Sequence, residues 1–333
     1  MAVKVAIVPA GQWGTALAVP LARRGHDVRL WFRTRAGVDE FQRRRENMAR
    51  LPGVTFPAHV TGTADLAEAV ADAELVVLAP ASSGLRDVCR ALKPYLGTDV
   101  ILLSVVKALF SDGPPLVHGV VEEELPGTGE RLAVLSGPNF AVEVARELPT
   151  GTVVASRDGL VARRAQEILM TDRFRVWTST DVIGVELGGA LKNVIAIGAG
   201  LCDGLGMGHN ARAALITRGL AEIGRLGVTM GANPLTFAGM SGLGDLILTC
   251  TSDLSRNRRA GLAIAHGDTI EHSVAALRST VEGIPSTRAA YLLAQRHGVE
   301  MPITTEVYRV LYEGVRPEVG VERLMTRAPT AEL

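Results

Sequence analysis

The chain has 333 residues, with 35 basic and 35 acidic side chains and a formal net charge of zero, which argues against a general binder of nucleic acid or anionic membrane. Hydrophobic residues make up 47% and aromatic ones 4%, so two domains of ordinary size can each bury a core built mostly of Ala, Val and Leu. Cys89, Cys202 and Cys250 lie far apart with no C-x-x-C pair, which suits a reducing compartment and predicts neither a metal site nor a disulfide framework. The chain enters its first strand directly at Met1-Ala-Val-Lys-Val, without a signal-peptide cleavage pattern, and no uninterrupted apolar run reaches membrane-spanning length. A cytoplasmic location is expected. In chain order, Val3–Val8 reads as a β-branched strand, Thr15–Arg24 as a helix stopped by Gly25, and Val28–Phe32 as the next strand. Short strands follow at Leu75–Ala79, Val100–Ser104 and Leu132–Ser136, with helical stretches between most of them. That rhythm predicts an α/β, Rossmann-like doubly wound parallel sheet with helices on both faces. After Thr152–Ala155 and Phe174–Trp177 the strand signals fade. From about Asp181 the chain reads as helical, including Asn210–Leu226, Pro285–His297 and Thr304–Tyr312. The expected division is therefore a dinucleotide-binding domain over 1–180 and an all-α substrate and catalytic domain over 181–333, with a loosely ordered tail from Arg316.

The first strand–helix turn reads Val8-Pro9-Ala10-Gly11-Gln12-Trp13-Gly14. A dinucleotide-binding turn normally carries Gly-x-Gly-x-x-Gly, and Pro9 stands in place of the first glycine. Gly11 can still let the backbone approach a pyrophosphate, and Gly14 can let the helix pack on the strand. The phosphate would sit at the helix start, where N–H groups point outward. Proline removes a donor and fixes φ, so a modest loss of cofactor affinity is expected. At the end of the second strand, where NAD enzymes usually place an acid, the chain has Arg33-Thr-Arg35 and no acid before Asp39. Arg33, helped by Arg35, can hold a 2′-phosphate; the alternative is a pair of solvated arginines. NADP is favoured over NAD.

Only four residues are lysine, against thirty-one arginines, and Lys192 lies inside the apolar run Gly184–Gly200. A desolvated amine can lose its proton, whereas guanidinium effectively cannot. At helical spacing its neighbours are Gly188, Gly189, Ile195 and Ala196, which predicts room for a ligand over the amine. The competing reading is a lysine snorkelling from a core helix. A second anion site is predicted at Thr251–Arg259, where Ser255 can cap a helix start beside Arg256, with Arg258 and Arg259 solvated. Upstream, Asp245 sits in the glycine-rich turn Gly242-Leu-Gly-Asp245, where it either orients Lys192 or a substrate hydroxyl or simply caps the turn.

The blocks Gly184–Leu226, Ser241–Ser252 and Leu254–Arg258, together with Leu135–Ala141, Gly298–Ile303 and Val307–Gly314, resemble bacterial NAD(P)-dependent glycerol-3-phosphate dehydrogenase over nearly the whole chain. The resemblance implies that Lys192 is the catalytic acid–base. It also implies that Lys107, Gly137, Asn139, Lys192, Asp245, Ser255, Arg256 and Asn257 bind the glycerol phosphate. Gly11, Gln12, Trp13, Gly14, Arg33, Lys107, Ala141, Arg256 and Glu282 would contact the nucleotide. The implied reaction is reversible reduction of dihydroxyacetone phosphate to sn-glycerol 3-phosphate, feeding phospholipid synthesis, in an enzyme expected to be a homodimer. Three departures from the family pattern stand out: Pro9, Ala108 after Lys107 in place of glycine, and Asn139 in place of a small hydroxyl residue. Two alternatives remain at this level. One is another two-domain dehydrogenase, of the 2-hydroxyacid or 6-phosphogluconate type; the other is a non-catalytic nucleotide sensor.

Overall fold

A computed structural model describes residues 2–277, 280–329 and 331. The chain divides into two compact units, Met1–Lys107 with Leu116–Glu186, and Ala108–Pro115 with Leu187–Leu333. In the first unit the strands are β1 (Lys4–Val8), β2 (Asp27–Trp31), β3 (Val60–Thr63), β4 (Leu75–Leu78), β5 (Ile101–Ser104), β6 (Leu132–Ser136), β7 (Thr150–Ser156) and β8 (Phe174–Ser179). They form one sheet in the order β3-β2-β1-β4-β5-β6-β7-β8. The central strands β4, β5 and β6 are buried at every position, as expected of a sheet covered on both faces. The covering helices are α1 (Gln12–Arg23), α2 (Arg35–Arg44), α3 (Leu66–Val70), α4 (Leu85–Leu92), α5 (Val117–Glu124), α6 (Ala141–Ala145) and α7 (Gly159–Leu169). Ile7, Leu17, Leu30, Phe41, Leu103 and Leu135 lie in one continuous core between them.

The sheet departs from the all-parallel expectation at one seam. β7 runs antiparallel to β6, pairing Ala133 with Ser156 and Ser136 with Val153, and β8 is then parallel to β7. A parallel crossover needs a covering helix of useful length, whereas β6 and β7 are linked only through the one-turn α6.

The second unit is built from α8 (Val182–Gly204) from Leu187 onward, α9 (Gly208–Thr229), α10 (Asp245–Thr251), α11 (Arg256–Ala265), α12 (Ile270–Leu277), α13 (Gly283–His297), α14 (Pro302–Tyr312) and α15 (Pro317–Met325). α8 is long and apolar enough to cross a membrane, yet 94% of its most apolar stretch is buried inside the fold, so its side chains serve as core. α14 starts at Pro302, two residues ahead of the expected Thr304. The buried carboxylate of Glu222 on α9 accepts from the N–H groups of Ile303 and Thr304 at 2.6 and 3.1 Å, capping the helix from outside it. The tail from Arg316 is not loose throughout. Pro317 opens α15, Gly320 lies against Glu306, and Arg323 approaches the same carboxylate at 3.6 Å. The tertiary partner orders a helix that its own composition leaves marginal.

Candidate active site

In the first unit, β1 ends at Val8, and the Val8–Pro9 peptide is cis. The N–H of Gly11 donates to the Pro9 carbonyl at 2.8 Å, and the first intrahelical bond of α1 runs from Thr15 N–H to Gly11 O. The amides of Gln12, Trp13 and Gly14 therefore have no acceptor within the helix, and Gly11 supplies no side-chain cap. A Cβ on Gly11 would meet only the Ala79 carbonyl, at 3.6 Å, so the space above it is open. One on Gly14 would strike Ile7 at 2.8 Å and the Pro9 carbonyl at 2.9 Å. Gly14 thus serves helix-on-strand packing and Gly11 leaves the cradle clear. Trp13 packs against the core and its indole Nε1 is buried with no acceptor. An open cradle, outward amides and an unsatisfied indole donor fit the phosphates and polar edge of a dinucleotide.

Arg33, just past β2, is exposed, and its guanidinium lies beside Gly84. Arg35 is already paired with Asp39 at 3.1 Å. Of the two arginines considered for a 2′-phosphate, Arg33 is the better placed.

Lys107, after β5, donates to the Gly137 carbonyl and to Asn139 Oδ1, both at 2.9 Å. Asn139 in turn donates to Thr152 Oγ1 at 3.0 Å, and Thr152 donates to the Ser136 carbonyl at 2.8 Å. The departure to asparagine is thus accommodated: its amide bridges the lysine to β7, using both an acceptor and a donor. Ala141 opens α6 nearby in sequence and is partly buried.

Lys192 lies on α8 in the second unit and is 7% exposed. Its Nζ donates to Asp245 Oδ1 at 2.6 Å and to Thr249 Oγ1 at 2.7 Å. A snorkelling lysine would reach solvent instead. The room expected over the amine is only partly there, because a Cβ on Gly188 would meet the Ser241 carbonyl at 2.6 Å and Gly242 Cα at 3.3 Å. The missing side chain admits the backbone of a second segment. That segment, Met240–Gly244, is a π-helical turn running straight into α10, in place of the loop turn expected from its glycines. It delivers Asp245, 1% exposed, directly to the ammonium. Thr249 escaped the sequence reading. It sits four residues after Asp245, hence on the same face of α10, but the glycines hid the helix.

On α11, Ser255 is the N-cap, accepting from Arg258 N–H at 3.2 Å. Arg256 follows at the first helical position. It is exposed by area, yet crowding around its head group lowers its pKa, with Glu282 pulling the other way. Guanidinium remains cationic regardless. Asn257 is buried and largely committed: it donates to Asn193 at 2.8 Å and accepts from Gly283 N–H at 2.9 Å, tying α11 to α8 and α13. Arg258, expected to be solvated, is instead paired with Asp203 at 2.7 Å and Asp253 at 2.6 Å.

Residues 4–162 match the family profile described as NAD-dependent glycerol-3-phosphate dehydrogenase N-terminus, and residues 181–322 match its C-terminus. The glycerol-3-phosphate dehydrogenase [NAD(P)+] of Symbiobacterium thermophilum is 56% identical over 329 residues, covering 99% of this chain and 95% of that protein. That of Pelotomaculum thermopropionicum is 48% identical, covering 100% and 96%. The crystal structure of glycerol-3-phosphate dehydrogenase from Coxiella burnetii superposes with a TM-score of 0.92 at 41% identity, covering 98% of this chain and 99% of that one. With both halves matched in order and the likeness extending end to end, the chain belongs to the NAD-dependent glycerol-3-phosphate dehydrogenase family.

Proposed function

We propose that this chain interconverts dihydroxyacetone phosphate and sn-glycerol 3-phosphate with NAD(P)H or NAD(P)+, supplying the glycerol phosphate of phospholipids. The observation that carries the reading is the buried Lys192 ammonium. Asp245 and Thr249 take two of its hydrogens, and an ammonium has three to give. The third is the proton donor. A bound nicotinamide supplies or accepts the hydride at the carbon that interconverts between ketone and alcohol. As charge grows on the ketone oxygen, the Lys192 ammonium stabilises it and transfers a proton to it; in the oxidative direction the neutral amine takes that proton back. Asp245 holds the amine in place.

The phosphate dianion is assigned to the start of α11, where Ser255, Arg256 and Asn257 gather beside outward amides. Binding energy from that remote group aligns the ketone for reaction. Lys107, Gly137 and Asn139 complete the substrate set. For the nucleotide, the amides of Gln12, Trp13 and Gly14 over Gly11 hold the pyrophosphate, with further contacts from Lys107, Ala141, Arg256 and Glu282. Arg33 holds a 2′-phosphate, which favours NADP. A cytoplasmic homodimer completes the reading.

The test follows NADPH and NADH oxidation with dihydroxyacetone phosphate, dihydroxyacetone and a set of 2-keto acids. Turnover of the first alone, or far above the others, is expected. Preference for a keto acid would support the 2-hydroxyacid type of dehydrogenase, and tight NADPH binding without turnover would mark a sensor.

A further inference from the structure

α8 ends with an acid, Asp203, in its last turn, where the helix dipole disfavours negative charge. Its carboxylate is 13% exposed and receives two arginines. Arg258 Nε donates to Oδ2 at 2.7 Å, while Arg212 Nη1 reaches Oδ1 and Oδ2 at 3.1 and 3.2 Å. Arg258 is itself only 11% exposed and also holds Asp253, in the loop ahead of α11, at 2.6 Å. A solvated surface arginine needs none of this.

The position of Arg258 in the chain gives the arrangement its meaning. It follows Ser255, Arg256 and Asn257 directly, on the same first turn of α11. That turn is attached to α8 at two places. Asn257 binds Asn193, the neighbour of Lys192, and Arg258 binds Asp203. Ten residues of helix separate the two attachments on α8, roughly 15 Å. Between them a Cβ on Gly200 would collide with the Arg258 carbonyl, so the two helices touch backbone to backbone. Gly261 of α11 and Ile197 of α8 are equally close, and to this backbone packing the Asp203–Arg258 pair adds a directional, charged attachment at the first turn of α11.

We infer that Asp203 and Arg258 are positioning residues for the phosphate anchor: they set the direction of the α11 start relative to Lys192, so that a phosphate held there places the ketone at the amine. The inference rests on the proposed role of Ser255, Arg256 and Asn257. Neither Asp203 nor Arg258 need touch substrate.

The test uses the full chain in two forms, Arg258→Lys and the double variant Asp203→Asn with Arg258→Gln. The first keeps the charge but loses the planar fork. The second removes the Asp203–Arg258 ion pair as a whole, so that neither of its charges is left buried alone. Both are expected to raise KM for dihydroxyacetone phosphate about 10-fold with kcat changed by less than about 3-fold, and to raise the inhibition constant of inorganic phosphate in parallel. The ratio of kcat/KM for dihydroxyacetone phosphate to that for unphosphorylated dihydroxyacetone should fall by about the same factor. A purely structural pair would lower both ketones together, and that result, or unchanged phosphate affinity in the double variant, overturns the inference. Arg256→Ala measured alongside separates the two levels. Equal loss on both ketones there removes the anchor reading itself, whereas a selective loss there without one in the Asp203 and Arg258 variants removes only the positioning role.

Discussion

Replacing Lys192 with methionine keeps the aliphatic stem and deletes the charge, and the structure says what each deletion should do. Asp245 is 1% exposed and lies 2.6 Å from the lysine nitrogen. Without its cation it is a buried carboxylate with an incomplete set of donors, and breaking such a pair costs about 3–5 kcal/mol. Set against a typical stability of about 5–15 kcal/mol, the variant should fold but unfold at clearly lower urea. Loss of a positioned proton donor lowers the rate by about a hundred- to ten-thousand-fold. The two effects can be pulled apart. Adding Asp245→Asn removes the buried charge while an amide oxygen can still accept from Thr249, so the double variant should regain most of the stability and none of the turnover. Urea unfolding followed by tryptophan fluorescence reads the first quantity, and dihydroxyacetone phosphate-dependent NADPH oxidation reads the second. Lys192→Arg gives a third arm: it restores a cation but cannot cycle a proton at neutral pH, so it should remain inactive. Substantial turnover in that variant, or recovery of activity in the double variant, would refute the proton-transfer role.

Arg256→Ala should cost about 1.5–3 kcal/mol in kcat/KM for dihydroxyacetone phosphate, the worth of a charge-assisted hydrogen bond, and far less for dihydroxyacetone; equal losses place Arg256 elsewhere. Arg33→Ala should weaken NADPH about 10-fold or more while leaving NADH nearly unchanged, read by titrating cofactor fluorescence, and a parallel loss for both would remove the 2′-phosphate contact. His118 predicts a pH effect. Burial lowers its pKa, but the hydrogen bond and charge of Glu186, with Nδ1 and Oε2 2.7 Å apart, outweigh this and leave it raised. A raised histidine stabilises the fold fully below its unfolded pKa and loses that contribution as pH climbs through the folded value. Unfolding free energy should therefore fall more steeply as pH rises above the ordinary histidine value of 6.5 in the native chain than in His118→Gln; identical slopes would show that the pair does not contribute in this way.

Much of the fold could be read from local pattern, because the central strands are buried on both faces and appear as plain apolar runs. Val76, Leu102 and Ala133 need no partner to be recognised. The edge strand β3 was not legible in the same way. Its four residues include Gly62, where a Cβ would meet the Phe32 and Phe41 rings at 3.0 and 3.1 Å. What makes it a strand is pairing with β2, from Val28 with Val60 to Trp31 with Thr63, and the aromatic roof over its glycine. The reversal at β7 is similar, since strand direction depends on the length of the link and leaves no mark on the strand itself.

The site shows where residue type stops being informative. Lys192 could be singled out because this chain uses lysine so sparingly, and because an amine does chemistry that a guanidinium does not. Its glycine neighbours were ambiguous for a physical reason: a missing Cβ makes room, but does not say for what. A ligand and a polypeptide backbone need the same absence. The partner that resolves the matter is Ser241–Gly242, separated from Gly188 by more than fifty residues, and its glycines suggest a loose turn when taken alone. Only when the two glycine-bearing segments are brought together does each explain the other. Gly188 admits the π-helical turn, the turn hands its last hydrogen bonds to α10, and α10 presents Asp245 and Thr249 on one face toward the lysine. Arg258 repeats the lesson with opposite sign. Among so many arginines it reads as solvated, and the acid that holds it lies at the far end of α8, where Arg212 pairs with the same carboxylate.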